Sequence, residues 1–367
     1  MHLTDIALRD FRNYRELSLE FDPGVNLISG NNAQGKTNLL EAIGYLGSGK
    51  SFRAFKTAEM LRFGAEFAEL SGGVYSQERQ QQLRWLLFSG SRPRQLFCNG
   101  VKKKTAGEIS GVLSTVLFCP EDLMVLKAGS SARRRLGDQA LCQLRPNYEA
   151  ALTEYGRILE RKGRILKDRY ENPGLLDILP EYNARLCQVG ALLISYRARF
   201  YEGLGRSAAG YHSSFSGGNE EFRLEYHTVS NITDPFAPVE QLRGQLEEHL
   251  ASHYRAELES AQCLTGPHKD DFSVSLSGID LKAYGSQGQT RTAAISLKLA
   301  QRELMGSQSG QIPVLLLDDV LSELDPGRQD FVLNQISKGQ VFITCCEPAQ
   351  FTKLGKNITI SNGTVLT

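Results

Sequence analysis

Residues 30 to 37 have the types and the spacing of a loop that binds the phosphates of a nucleotide. They fit the pattern G-x-x-x-x-G-K-[ST] and read Gly30, Asn31, Asn32, Ala33, Gln34, Gly35, Lys36 and Thr37. In such a loop, backbone N–H groups cradle the phosphates, the lysine contacts the β- and γ-phosphate oxygens, and the hydroxyl binds Mg²⁺. We therefore expect the whole loop to bind ATP, with Lys36 as a catalytic residue and Thr37 as a ligand of Mg²⁺.

A second match to the same pattern begins at Gly44 and ends with Lys50 and Ser51. A phosphate-binding loop needs a buried strand before it and a helix after it. The first match has VNLIS before it and NLLEAIGYL after it, whereas the second begins inside that helix. We therefore assign phosphate binding to residues 30 to 37 and interpret Gly47 to Ser51 as the exit from the helix.

Two adjacent carboxylates, Asp318 and Asp319, follow the apolar run Val314 to Leu317. Read as the Walker B strand of a P-loop ATPase, this run places Asp318 to hold Mg²⁺ directly or through water. Asp319 then faces the γ-phosphate as a catalytic carboxylate that orients or deprotonates the attacking water. A strand that ends in a solvated acidic turn is the alternative, and the phosphate-binding loop in the same chain argues against it.

The run Ser286-Gln-Gly288-Gln289 lies before a helix-like segment and resembles the SGGQ signature of ABC ATPases. Asp325 ends the run SELD, which stands at the offset of the ABC D-loop. A Ser-Gly-Gln loop is also a common helix cap, but the order signature, Walker B, D-loop favours the ABC class. That resemblance implies contacts with ATP held by a partner subunit from Ser286, Gly288, Gln289 and Asp325. It also makes Ser286 a further catalytic residue.

The elements that must position these groups divide the chain into three parts. The runs LTDIAL, LSLEF and VNLIS are strand-like, and long helical periodicities follow from about residue 133. Apolar runs at VLLLDDV and QVFITCC are typical of central parallel strands. We predict an α/β fold, an ABC-type P-loop ATPase head built by residues 1–130 and 263–367 in one sheet, with a mainly helical domain inserted at 131–262.

The composition is that of a folded globular chain with no global charge signal. Of its 367 residues, 41% are hydrophobic, and the net charge is +1, so binding to nucleic acid would need a local basic patch. The seven cysteines show no metal-binding spacing and are read as reduced core residues. We expect no signal peptide, no membrane span and a cytoplasmic location. Candidate patches, each also readable as a solvated face, are Arg9 to Arg15, Lys102 to Lys104, Arg133 to Arg135, and the basic residues from Arg157 to Arg169.

Short sequence segments along nearly the whole chain resemble those of the RecF family. The matching segments are LRDFRNY, SGNNAQGKTNLLEAI, GKSFR, LFCPEDL, RRR, GPHKDD, GSQGQTRT and LLLDDVLSELD. The resemblance implies a weak DNA-dependent ATPase that dimerises on ATP and binds duplex DNA and single-strand/double-strand junctions. It also implies work with RecR and RecO to load RecA.

Other ATPase classes share some of these motifs, and this chain departs from the family at several positions. About 250 residues separate Lys36 from Ser286, which argues against a transporter ATPase, and the helices are too short for a Rad50-type head. A P-loop kinase leaves the signature unexplained. Phe52, Gly137 and Lys269 replace residues usual in the family. No switch histidine or Q-loop glutamine can be placed, with Thr344 and Glu121 the nearest candidates.

Overall fold

The structure, a computed structural model, describes residues 1–346 and 353–366, which form two compact units. The first unit comprises Met1–Met124 and Ala294–Thr367, and the second comprises Val125–Ala293. Residues from both ends of the chain thus build one unit, and the part between them builds another. Among the described residues, no helix combines the length and the apolar character that a bilayer crossing requires.

A largely parallel sheet forms the centre of the first unit. Strands β4 (Val25–Ser29), β14 (Val341–Cys345), β13 (Val314–Leu317) and β9 (Thr115–Phe118) are neighbours in that order and run parallel. On the other side of β4, β15 (Lys356–Ser361) is parallel and β16 (Thr364–Leu366) is antiparallel. The apolar residues of β13 and β14 are buried on both faces, as predicted for central parallel strands.

The first strands of the chain lie in a different sheet from VNLIS, so the prediction of one sheet is wrong for them. Strands β2 (Asp5–Phe11) and β3 (Tyr14–Glu20) pair in a separate antiparallel sheet of seven strands. Burial alternates along β2, which is the pattern of a strand with one covered face rather than two. The remaining strands are β1 (His2–Leu3), β5 (Phe67–Ser76), β6 (Arg79–Phe88), β7 (Gln95–Cys98) and β8 (Val101–Lys103).

Helix α1 (Lys36–Ser48) joins the two sheets through one hydrophobic core. Its Leu39, Leu40 and Ile43 are fully buried, and Trp85 Nε1 of β6 donates to Leu46 O at 3.0 Å. The helix ends at Ser48 and is followed by Gly49 in the left-handed region, with φ 62°. The second phosphate-loop match therefore lies within a buried helix and at its exit, as predicted.

The second unit is built on four long helices and a small sheet. Strand β10 (Phe222–His227) pairs antiparallel with β11 (Asp271–Leu276), which also pairs with β12 (Ile279–Asp280). The long helical periodicities of the sequence are confirmed by α2 (Ser130–Leu144), α3 (Pro146–Asp168), α4 (Leu179–Ser216) and α5 (Val239–Ser260). The short α6 (Leu281–Tyr284) and the start of α7 (Gln287–Ser309) complete it, and α8 (Pro326–Gln335) belongs to the first unit.

The unit boundaries differ from the predicted 131–262, because residues 263–293 lie in the second unit. Pairing of β11 with β10 is one reason, and buried ion pairs are the other. Asp270 Oδ2 lies 2.8 Å from Arg197 Nη1 of α4, and Asp271 Oδ1 lies 2.6 Å from Arg133 Nε of α2. These carboxylates come from the run GPHKDD, so that motif joins its segment to the helices.

Several basic residues of the candidate DNA patches are core residues instead. Arg133 is buried in its ion pair with Asp271, and Lys162 of α3 lies 2.6 Å from Glu257 of α5 with both side chains 0% exposed. Neither side chain is available to a phosphate backbone. Since an unpaired buried charge is strongly unfavourable, each partner here holds the other in place.

We predict that Glu257→Ala lowers the free energy of unfolding by about 3–5 kcal/mol, because it leaves the Lys162 ammonium buried without its carboxylate. Urea unfolding followed by circular dichroism measures the effect. Glu160→Ala is the matched control, since Glu160 pairs with Arg164 on the exposed face of α3, the helix that carries Lys162. Its loss should leave the midpoint of urea unfolding unchanged. Equal midpoints for the two variants would contradict the role given to the buried pair.

Candidate nucleotide-binding site

The phosphate-binding loop leaves the carboxyl end of β4 and enters α1 at Lys36. The buried Lys36 ammonium donates to Gly30 O at 2.8 Å and to Asn31 O at 3.2 Å. These bonds fold the lysine back across the loop, where it holds a positive charge beside the backbone N–H groups. The lysine charge and the N-terminus of α1 thus lie at the same loop, which favours a phosphate group.

Gly35 occupies a position that no other residue fits. Its φ is 118°, and a Cβ atom there would lie 2.8 Å from the hydroxyl oxygen of Tyr14 and 2.6 Å from Asn13 Nδ2. Tyr14 donates to Gly35 O at 2.9 Å, and Asn13 Nδ2 donates to Gln34 O at 2.9 Å. The run LRDFRNY therefore supplies the two side chains that fix the backbone of the loop.

The two carboxylates and the loop hydroxyl meet at the same edge of the parallel sheet. Thr37 Oγ1 donates to Asp318 Oδ1 at 2.9 Å, although 281 residues separate them in the sequence. Buried Thr344, at the end of β14, donates to the same oxygen at 3.0 Å and accepts from Asp319 N at 2.8 Å. Thr344, which we considered as a switch residue, thus links both aspartates.

The oxygen atoms gathered here fit a magnesium ion. Mg²⁺ is commonly bound by one or two carboxylates, with water and substrate phosphates completing its shell. Asp318 and Thr37 offer a carboxylate and a hydroxyl beside the phosphate loop. Burial raises the pKa of Asp318 above its usual range, opposed by the hydrogen bonds from Thr37 and Thr344. A cation that neutralises the carboxylate would offset this burial.

A buried carboxylate on α1, Glu41, was not singled out by the sequence motifs. Arg12 binds it with two hydrogen bonds of 2.7 Å, and Ser51 donates to the same group. Arg12 belongs to LRDFRNY and Ser51 to GKSFR, so two family-like segments converge on the helix that follows the loop. The result removes Arg12 from the candidate DNA contacts and gives it a positioning role.

The signature residues cap the first turn of α7, in the second unit. Gln289 N donates to Ser286 Oγ at 3.2 Å, and Ser286 N donates to Gln289 Oε1 at 3.1 Å, a reciprocal capping box that includes Gly288. Gln289 Nε2 donates to Glu220 Oε1 at 2.7 Å, and this bond lowers the pKa of Glu220. Glu220 Oε2 in turn lies 2.9 Å from Nε2 of buried His212. The loop is therefore tied to the end of α4, by residues that no local motif marks.

Asp325 also caps a helix, since its side chain accepts from Arg328 N at 3.1 Å at the start of α8. Hydrogen bonds from Arg328 lower the pKa of Asp325.

Glu121, the nearest candidate for the Q-loop, is exposed in a short 3-10 helix. Cys346, which follows Thr344 by two residues, places its thiol 3.4 Å from Lys36 Nζ and 3.0 Å from Asn32 Oδ1.

The structure thus brings together Lys36, Thr37, Asp318 and Asp319 in the first unit, and Ser286, Gly288 and Gln289 in the second.

The family model described as "RecF/RecN/SMC N terminal domain" matches residues 2–365. The DNA replication and repair protein RecF of Agathobacter rectalis is 38% identical over 353 residues, which cover 96% of this chain and 94% of that protein. RecF of Clostridioides difficile is 37% identical over 363 residues, with 99% and 96% covered.

Solved structures agree with this similarity. The recombination mediator protein RecF, with ATPrS and described in the RecFOR pathway, has a TM-score of 0.91 and 34% identity, and the match covers 99% of this chain and 97% of that one. The same protein with ATP has a TM-score of 0.90. The Smc head domain of Pyrococcus furiosus, at 17% identity and a TM-score of 0.56, shares the fold alone.

We predict that Lys36→Ala abolishes ATP binding, because it removes the only ammonium group of the loop itself. Lys50→Ala is the matched control, since Lys50 occupies the equivalent place in the second match but lies beyond the end of α1. Isothermal titration with ATP and Mg²⁺ measures both affinities. Loss of binding in the Lys50 variant with retention in the Lys36 variant would overturn the assignment.

Proposed function

Since this chain belongs to the RecF family of ABC-type ATPases, which bind ATP and serve DNA replication, repair and recombination, we propose that it is an ATP-dependent DNA-binding protein of recombinational repair and replication restart. It binds duplex DNA and single-strand/double-strand junctions at gaps as an ATP-induced homodimer. It acts in the cytoplasm with RecO and RecR to load RecA. Its ATPase activity is weak and depends on DNA.

The observation that carries the ATPase part is the hydrogen bond between Thr37 and Asp318 at 2.9 Å. This bond supports the proposal that Thr37 and Asp318 would together hold a Mg²⁺ ion beside the phosphates of ATP. The chemistry that such an ion would supply is neutralisation of the negative charge on the phosphate oxygens. Lys36 adds a second positive charge at the same oxygens.

Asp319 is the proposed catalytic carboxylate. Its backbone has a φ of 49°, a left-handed conformation that is uncommon for a residue other than glycine, and its N–H is fixed by Thr344. A conformation of this kind at the end of a strand is consistent with a functional constraint on the side chain. From there the carboxylate would orient the attacking water and accept its proton.

Dimerisation gives the ATP cycle its connection to DNA. In the proposed dimer, Ser286, Gly288 and Gln289 of one subunit cover the γ-phosphate bound by the other, and Asp325 lies at the same seam. The capping box and the bond from Gln289 to Glu220 support this role because they fix the position of the loop at the start of α7. Hydrolysis removes the shared phosphate and releases the dimer.

We predict that Asp319→Asn retains ATP binding and ATP-induced dimerisation but loses at least about tenfold in hydrolysis rate, since it keeps the shape and removes the base. Phosphate release in the presence of gapped DNA measures the rate, and nucleotide titration measures binding. Hydrolysis at the parent rate would show that another group activates the water.

We predict that Ser286→Arg binds ATP as a monomer yet fails to dimerise, because the arginine places bulk and charge in the seam and leaves the phosphate loop intact. Sedimentation with and without ATP and gapped DNA measures the association. If both subunits share the DNA contacts, the salt slope of duplex binding falls to about half that of the parent, as measured by fluorescence anisotropy.

Ser307→Arg is the matched control, since Ser307 is exposed on the same helix α7 away from the signature turn. This variant should dimerise and bind DNA like the parent. A Ser286→Arg protein that stays monomeric and still binds duplex DNA with the parent affinity and slope would refute the shared-groove mechanism.

A further inference from the structure

Two phenylalanine side chains stand in solvent on the segment between α1 and β5. Phe63 is 100% exposed and Phe55 is 95% exposed. Single exposed apolar residues are normal, but two fully exposed aromatic rings in one short segment are a feature typical of an interaction site. The segment, residues 50–66, is called here the aromatic loop.

The aromatic loop is held on the first unit by buried residues and backbone hydrogen bonds. Met60 and Leu61 between the two rings are buried. Arg12 N donates to Met60 O at 2.8 Å, and Arg62 N donates to Asp10 O at 2.8 Å. These contacts fix the backbone beside Phe63, and Phe55 N donates to Oε2 of the exposed Glu59 at 3.0 Å. The fold therefore holds the backbone at both rings while their side chains remain in solvent.

Basic residues alternate with the aromatic ones along the loop. Arg53 and Lys56 are exposed on either side of Phe55, and Arg62, which pairs with Asp10 at 2.6 Å, precedes Phe63. Exposed aromatic rings stack on nucleic-acid bases, and neighbouring cations neutralise the phosphates, which is the usual chemistry of single-strand binding. In a duplex the base faces are covered by stacking, so flat rings of this kind favour unpaired bases.

We propose that the aromatic loop binds single-stranded DNA, with Phe55 and Phe63 stacking on unpaired bases and Arg53 and Lys56 contacting the backbone phosphates. The inference rests on the proposed DNA-binding function and deepens it, because it assigns recognition of the single-stranded side of a junction to one segment. Duplex binding by other basic residues is independent of it.

The chain offers a direct optical test. Its one tryptophan, Trp85, is 2% exposed in the core, so Phe63→Trp introduces a reporter in solvent against a shielded background. Stacking on a base quenches tryptophan fluorescence. We expect an oligothymidine of about 20 nucleotides, a length that spans the typical single-strand site, to quench Phe63→Trp on binding and to leave the parent emission unchanged. The absence of quenching at saturating oligothymidine overturns the proposal.

Measured affinity for single-stranded DNA provides a second test of the proposal. Phe55→Ala combined with Phe63→Ala should weaken oligothymidine binding at least about tenfold in fluorescence anisotropy and leave blunt duplex binding within twofold. Tyr170→Ala is the matched control, since Tyr170 is a 78% exposed aromatic of the second unit, and it should bind like the parent. Retention of the aromatic ring in Phe63→Trp should preserve the parent affinity.

Other outcomes separate the inference from the proposed function. If the double alanine variant binds oligothymidine like the parent but no longer dimerises with ATP, the loop contacts a second copy of the chain, and the proposal is wrong. If the parent binds duplex and gapped DNA while the alanine variant keeps the parent affinity for oligothymidine, this inference alone fails. If the parent binds no DNA of any form, the proposed function fails with it.

Discussion

The hydrogen bond between Thr37 and Asp318 is the contact on which the candidate site depends. It can form only because β4 and β13 run parallel in one sheet, with β14 between them, so that their carboxyl ends reach the same edge. Parallel strands place their C-terminal loops together, and this is where open α/β sheets bind ligands. The chain must therefore return from its helical segment to the same sheet before any phosphate chemistry is possible.

Several residues that would not contact a phosphate hold the groups at this edge of the sheet in position. Thr344 ties both aspartates to β14, Tyr14 fixes the carbonyl of Gly35, and Arg12 holds α1 through Glu41. Each is buried or partly buried and satisfies a polar group that would otherwise be costly to bury. Two of the family-like segments, LRDFRNY and GKSFR, therefore support the site without contacting a phosphate.

In the second unit, charge serves the interior as much as the surface. Arg133, Arg197 and Lys162 are all buried against carboxylates, two of which come from the run GPHKDD. Because the net charge is only +1, the proposed DNA binding requires a local group of exposed basic residues. The aromatic loop meets that condition, since Arg53 and Lys56 are exposed beside rings that the core does not use.

The sequence by itself determined the phosphate loop, the Walker B strand, the ABC-type head and the long helices, because each of these is written in local spacing or periodicity. It also rejected the second loop match, since a helix cannot begin inside another. The tertiary structure alone decided that β2 and β3 lie in a different sheet from β4, where the units divide, and which basic residues are buried in ion pairs. Those outcomes depend on partners far apart in the chain, as with Glu257 for Lys162, Asp271 for Arg133 and Glu220 for Gln289. A local pattern shows that an arginine or lysine is present, but only the fold brings the carboxylate that neutralises it.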